Sequence, residues 1–277
     1  MAYGDGYGCV RERSTIRCTG AFLSFQGTPL RSLDHVREIG VGEHHACAIL
    51  DDGAITCWGS NESGQLGDGT NTPRYEPRIV VDLPAAVQIA VGHRTMCALF
   101  VDDSVRCWGG ITGTKIPKVV SFGGIVKSLG VSFTDACAIL DDTTVSCVGR
   151  KGAPQKIEGL RDVAQIAIGT TSAALRRDGT VWWWEGIGAP KQLRGVDHVV
   201  QISGVSYHAC ARHEDRHVSC WHQRDETAKV ANDLRDVDEI AVTYGGGVCG
   251  MLRDGQQKCV DAPASAEENG DADAQAR

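Results

Sequence analysis

A chain of 277 residues with 42% hydrophobic content, 34 Gly and only 8 Pro has the core material for one large all-β domain or two ordinary ones. No apolar run approaches eighteen residues, which argues against a membrane-spanning helix. The formal charge of −7, without any clustered Lys/Arg stripe, argues against a nucleic-acid partner, whose phosphates would have to be neutralised.

Met1-Ala2-Tyr3-Gly4 carries neither the charged nor the apolar region of a secretion signal, so no leader is expected within this chain. A first copy of a repeating unit centres on Cys9 and Cys18. The clearest copy is Val36 to Gly59, VREIGVGEHHACAILDDGAITCWG, and the next is Val87 to Gly109, VQIAVGHRTMCALFVDDSVRCWG. Later copies centre on Cys137, Ala173, Cys210 and Cys249. The markers at 9, 47, 97, 137, 173, 210 and 249 are spaced like propeller blades. Each copy reads as a strand, a loop, an apolar strand, a tight turn and a second alternating strand, with no helical period.

Small residues at the middle of the first strand, Gly40, Ala90, Ala167, Ser203 and Ala241, suit inner strands crowded around an axis. Pro29, Pro117, Pro154 and Pro190 announce outer edge strands, where a missing N–H is tolerated. The fold class expected is all-β, a seven-bladed β-propeller of mostly four-stranded antiparallel blades. It spans residues 1–260 as one domain, and an acidic disordered tail follows over 261–277.

In Leu50-Asp51-Asp52-Gly53-Ala54 a three-residue loop with Gly in the left-handed region pairs Leu50 with Ala54. Counting back, Cys47 faces Cys57 at a non-hydrogen-bonded position, where strands approach most closely and a disulfide can form. The twelve cysteines pair as Cys9 with Cys18, Cys47 with Cys57, Cys97 with Cys107, Cys137 with Cys147, Cys210 with Cys220 and Cys249 with Cys259. In the fifth copy Ala173 and Trp183 replace both members together, as pairing requires. Buried thiols and metal ligands are the competing readings, but the short C-x₂₋₄-C spacings of zinc sites are absent and no metal is expected. Six disulfides imply a secreted, periplasmic or cell-surface protein.

His45-Ala46-Cys47-Ala48, Asp52-Gly53, Cys57-Trp58-Gly59-Ser60-Asn61 and Gly64-Gln65-Leu66-Gly67-Asp68-Gly69 resemble the regulator of chromosome condensation repeat. The resemblance covers residues 2 to 260 and implies a seven-bladed propeller. In size the chain is similar to a bacterial secreted member that inhibits β-lactamases, and in cysteine content it resembles the forms of predatory or soil bacteria. Members act mostly by binding macromolecules, and the fold does not choose among their functions.

No HExxH, GxSxG, Walker or GxGxxG pattern stands in a supporting context, so neither catalysis nor a cofactor is expected. A hydrolase or lyase would require a deep pocket with paired carboxylates or His near the axis. Of the residues that recur at one position, His45 and His208 read as hydrogen bonders of the blade loops rather than ligands, and Trp58, Trp108, Trp184 and Trp221 as inter-blade packing. Loops between the first and second strands instead carry residues that differ from copy to copy: Tyr7, His44, His93, Arg94, Phe133, Tyr207 and Tyr244. Aromatics and Arg on a rigid scaffold have the composition of binding hot spots.

Trp182 is anomalous, because other copies hold polar residues there. It either packs beside the missing disulfide or belongs to a second contact patch. The Asp-rich hairpin turns, from Asp51 to Asp254, are first of all turn formers. The long connection from Ser60 to Pro77 is a candidate protruding contact loop. A monomer with a protein partner of unknown identity is the leading expectation, as an inhibitor or surface interaction module, and a carbohydrate-binding propeller is the alternative.

Overall fold

The computed structural model describes residues 2–3, 7–20, 33–149, 152–222 and 225–263. The chain divides into two compact units, Met1–Arg161 and Asp162–Arg277. All described regular structure is β, and consecutive antiparallel strands build the blades of a propeller.

The first unit holds four sheets. Sheet 1 consists of Ala2–Tyr3, Tyr7–Glu12 and Thr15–Gly20. Sheet 2 runs Val36–Val41, His45–Leu50, Ile55–Gly59 and Arg74–Ile79. Sheet 3 runs Ala86–Val91, Thr95–Phe100, Val105–Gly109 and Thr114–Val119. Sheet 4 runs Val126–Val131, Asp135–Leu140, Val145–Gly149 and Gln155–Lys156.

The second unit holds three. Sheet 5 runs Val163–Ala167, Thr171–Arg176, Val181–Glu185 and Lys191–Gln192. Sheet 6 runs Val199–Val205, His208–His213, Val218–His222 and Lys229–Val230. Sheet 7 has Val237–Val242, Gly247–Leu252 and Gln257–Asp261.

The expectation of seven such blades is corrected. Among the described residues five sheets are complete four-stranded blades, whereas the first and the last show three strands each, so fewer than seven complete blades are seen there. Where sheet 1 would gain its outer strand there is a single antiparallel bridge between Ile16 and Leu33. Pro29 and its surroundings lie outside the described residues. The tail boundary also moves, because Asp261 ends a strand and the Ala262 N–H donates to the Gly246 carbonyl at 3.2 Å. Residues 264–277 lie outside the described residues. Pro154 and Pro190 precede short outer strands, whereas Pro117 sits within one.

The hairpin register is the one the turn chemistry dictates. The Leu50 N–H donates to the Ala54 carbonyl at 2.9 Å, and Gly53 adopts φ +85°. In six hairpins the second Asp of the turn, or its counterpart, accepts from the backbone N–H two residues on, as Asp52 does from Ala54 and Asp142 from Thr144. These carboxylates are turn formers.

Cys47 stands directly across from Cys57, and the same facing arrangement joins Cys9 to Cys18, Cys97 to Cys107, Cys137 to Cys147, Cys210 to Cys220 and Cys249 to Cys259. All six pairs are disulfides with Cα–Cα distances of 4.0–4.1 Å. Ala173 faces Trp183 in the same register.

Neighbouring sheets meet through apolar side chains and one recurring polar clasp. Trp58, Trp108 and Trp184 are fully buried. Trp108 packs among Cys57 and Leu66, and Trp221 among Leu175 and Leu193, each reaching the preceding sheet. The third residue of the first strand clasps the next sheet: Gln88 Oε1 accepts from Leu129 N–H at 3.0 Å, Gln165 from Ile202 at 2.9 Å and Gln201 from Ile240 at 3.1 Å. Glu38 occupies that position in sheet 2 and accepts from Ile89 N–H at 3.4 Å. The inner strands are as crowded as expected, since a Cβ added at Gly40 would stand 2.5 Å from a Val91 methyl.

Candidate binding surfaces

The sequence-singled residues divide between the two units; His44, His93, Arg94, Phe133, Tyr207 and Tyr244 lie on loops joining first and second strands, whereas Tyr7 begins a second strand and Trp182 lies in a third. In the first unit three successive loops meet. Glu43, next to His44, forms an ion pair with His93 Nε2, and His44 Nε2 stands 3.9 Å from the same carboxylate. The His93 ring meets the Phe133 ring edge to face, with centroids 4.8 Å apart. Phe133 remains 47% exposed, large for a phenyl group held on a sheet scaffold. Arg94 is exposed, with Nη1 3.8 Å from the Glu62 carboxylate.

Beneath this cluster His45 is fully buried, and loss of hydration, with the neighbouring His93 and His44, pushes its pKa down to about 3. Burial also lowers the His93 pKa, against the opposing pull of Glu43. His45 rests on Gly42, where an added Cβ would approach its ring to 2.4 Å. The loop glycine and the buried imidazole thus hold His44 and Glu43 in place.

In the second unit Tyr207 is 48% exposed and lies tilted over His222 with centroids 6.0 Å apart. His222 also meets His208 edge to face at 4.9 Å. The strands that carry these two histidines are joined by the Cys210–Cys220 disulfide. Cys220 is buried in the core with Cys210, so it braces the scaffold under Tyr207 and does not itself form part of a contact surface. Tyr244 is half-buried on the loop before Gly247–Leu252. The Tyr7 backbone pairs with Gly20, and its side chain lies outside the described residues.

Trp182 is half-buried beneath Arg176, whose guanidinium carbon is 5.9 Å from the ring centroid, and its Nε1 donates to Thr180 Oγ1 at 3.2 Å. Its polar edge is thereby satisfied within its own hairpin. The connection after Ser60 does not protrude as a whole. Asn61, Gln65 and Leu66 are buried; Asn61 Nδ2 donates to Asp68 Oδ1 at 3.1 Å, and Trp108 Nε1 donates to the Gln65 carbonyl at 2.9 Å. Hydrogen bonds from Arg74, Thr70 and Asn61 hold the Asp68 pKa down near 2.

Sequence reasoning missed Glu43, Glu62 and His222. A signal existed for His222, which stands where three copies have Gly59, Gly109 and Gly149. None existed for the Glu43–His93 pairing, which depends on the offset between adjacent sheets.

A His and carboxylate grouping of the kind an enzyme would need lines a cavity of about 230 Å³ at the Asp215 hairpin. Both ring nitrogens of its buried member, His213, are occupied, by the Asp197 carbonyl at 2.7 Å and Ser219 Oγ at 3.1 Å. Its imidazole therefore anchors the turn. Among the described residues no three His, Cys, Asp or Glu side chains converge to hold a metal ion.

Residues 36–65 and 52–99 match models of the regulator of chromosome condensation (RCC1) repeat. These matches fall on sheets 2 and 3. Human E3 ubiquitin-protein ligase HERC2 is 25% identical over 215 residues, which cover 69% of this chain and 4% of that protein. The chain thus spans about 4% of the length of the curated relatives it matches. Prp20p from Saccharomyces cerevisiae, a structure described with binding to Gsp1p and histones, superposes with TM-score 0.69 at 18% identity, over 80% of this chain and 70% of that one. The ectodomain of the receptor kinase ACR4 from Arabidopsis thaliana superposes with TM-score 0.69 at 19% identity, over 95% of each chain. At these identities the likeness is one of fold.

Proposed function

We propose that this chain is a non-catalytic protein-binding propeller of an oxidising, extracytoplasmic compartment, acting as an inhibitor or surface interaction module. The observation that carries the reading is the first-unit cluster, in which Glu43 and His93 support an exposed Phe133, with the exposed Arg94 following His93 in the chain. An aromatic anchor held rigidly among polar neighbours loses little entropy when a partner covers it. Tyr207 on His222 repeats the arrangement in the second unit. Six disulfides support the compartment. Prp20p, described with binding to Gsp1p and histones, lends the protein-binding reading support by fold alone.

Affinity capture from the source organism's surroundings, repeated with Phe133→Ala and Tyr207→Ala, tests the proposal. Both side chains are about half exposed, so the fold should survive truncation. Specific capture of one folded protein, weakened at least about tenfold by either change, is expected. Capture indifferent to both changes contradicts the assignment, and saturable, sugar-specific binding lost with Tyr207 would favour the carbohydrate alternative.

A further inference from the structure

A groove along sheet 5 shares no lining residue with the loops of the proposed protein contact. It has a volume of about 560 Å³ along the outer strand Lys191–Gln192 and the segment that follows, with Glu226 also in its lining. Its floor is apolar: Leu193 and Val196 are buried, and the Trp183 indole packs against them while staying partly open.

The rim is fixed by backbone. Arg194 N–H donates to the Glu226 carbonyl at 3.0 Å, and Ala228 N–H to the Arg194 carbonyl at 3.4 Å, closing a parallel bridge between Arg194 and Thr227. Gly195, at φ +73°, leaves open space above the floor.

The charges on this rim are not engaged with one another. Lys191 Nζ lies 5.2 Å from the Trp183 ring centroid, a cation held over an aromatic face. Arg194 and Glu226 are exposed, and among the described residues neither side chain has an ion-pair partner. Trp183 also stands where the other sheets carry half of a disulfide. The cysteines that hold this position in sheets 2, 3, 4 and 6 are buried, whereas the Trp183 indole stays partly open.

We infer that this groove binds an acidic sugar residue, a uronic acid unit of a glycan. The open part of the indole offers a face for the apolar side of a pyranose ring. Lys191 and Arg194 meet the carboxylate, and the Gln192 amide and Glu226 carboxylate hydrogen-bond hydroxyl groups. Glu226 decides between anions, because two cations and one carboxylate suit a singly charged polyol and would repel a polyphosphate or a densely sulfated chain.

Titration of the full chain with trigalacturonate, followed by calorimetry and indole fluorescence, tests the inference. Saturable binding is expected, with neutral galactotriose at least about tenfold weaker and inorganic phosphate unable to compete. Lys191→Gln and Arg194→Gln, both at exposed positions, should each weaken the acidic trimer about tenfold, and Trp183→Phe should abolish the fluorescence change. Phe133→Ala should leave this affinity unchanged, separating it from the protein contact. Absence of saturable binding, equal affinity for the neutral trimer, displacement by phosphate, or indifference to both charge variants would overturn it.

Discussion

At the residue scale the most informative side chain is Glu38, because its counterparts Gln88, Gln165 and Gln201 make the same clasp without a charge. Burial raises its carboxyl pKa from 4.5 to about 7, against the lowering pull of the Ile89 N–H. The folded chain therefore holds this proton more tightly than the unfolded one, and stability falls as pH rises from about 4.5 through 7. Glu38→Gln should remove that loss, so that denaturation at pH 8 shows the variant about 2 kcal/mol more stable than the parent, with a smaller difference at pH 5.

His45 acts with the opposite sign. Its folded pKa lies below the ordinary 6.5, so its stabilising contribution is complete above that value and is lost as pH falls toward 3. In the Glu38→Gln background, stability should drop by about 2 kcal/mol between pH 7 and pH 5. A flat profile would mean that the imidazole is hydrated. The recurrence of His45 and His208 was legible in the sequence, but its reason was not. His45 is enclosed against Gly42, whereas His208 is half-buried beside His222.

At the scale of the element, the Asp-Asp-Gly turn was sufficient to derive both the hairpin register and the cysteine pairing, since each depends only on neighbouring residues. What stayed hidden depends on the packing of one sheet on the next. The recurring Gln at the third position of the first strand was visible as a repeat, yet its role emerges only once the next sheet's backbone amide is in reach. The same holds for the bulge that shifts register between the first and second strands in sheets 2 to 7, as between Val36 and Glu38. The Ser60 connection misled because its length was visible and its buried partner, Trp108, was not.

Sheet 5 tests the register directly. Ala173 faces Trp183 as Cys137 faces Cys147 and Cys210 faces Cys220, so the double change Ala173→Cys, Trp183→Cys should oxidise spontaneously. The new bond closes a loop of the same length as its neighbours, worth about 2–3 kcal/mol, partly offset by the lost indole packing. Two persistent free thiols in the purified variant would contradict the register.

For the whole molecule, stability rests on small sheets that are each stapled, and sheet 5 alone replaces its staple with aromatic packing beneath Arg176 and Lys191. The all-β propeller architecture was legible because one period recurs through the chain, and a period survives poor individual copies. The number of complete blades among the described residues was not, because the first and last copies show three strands each there. For function the sequence offered only a proposed set of loop residues, since partner identity resides in residues that do not recur.

Alkylation of the native, non-reduced protein under denaturing conditions, followed by peptide mass spectrometry, tests the stapled binding scaffold most directly. The expected result is no alkylated cysteine and six linked peptide pairs, Cys9–Cys18 through Cys249–Cys259. Twelve alkylated cysteines would contradict both the architecture's bracing and the oxidising compartment in which it is proposed to work.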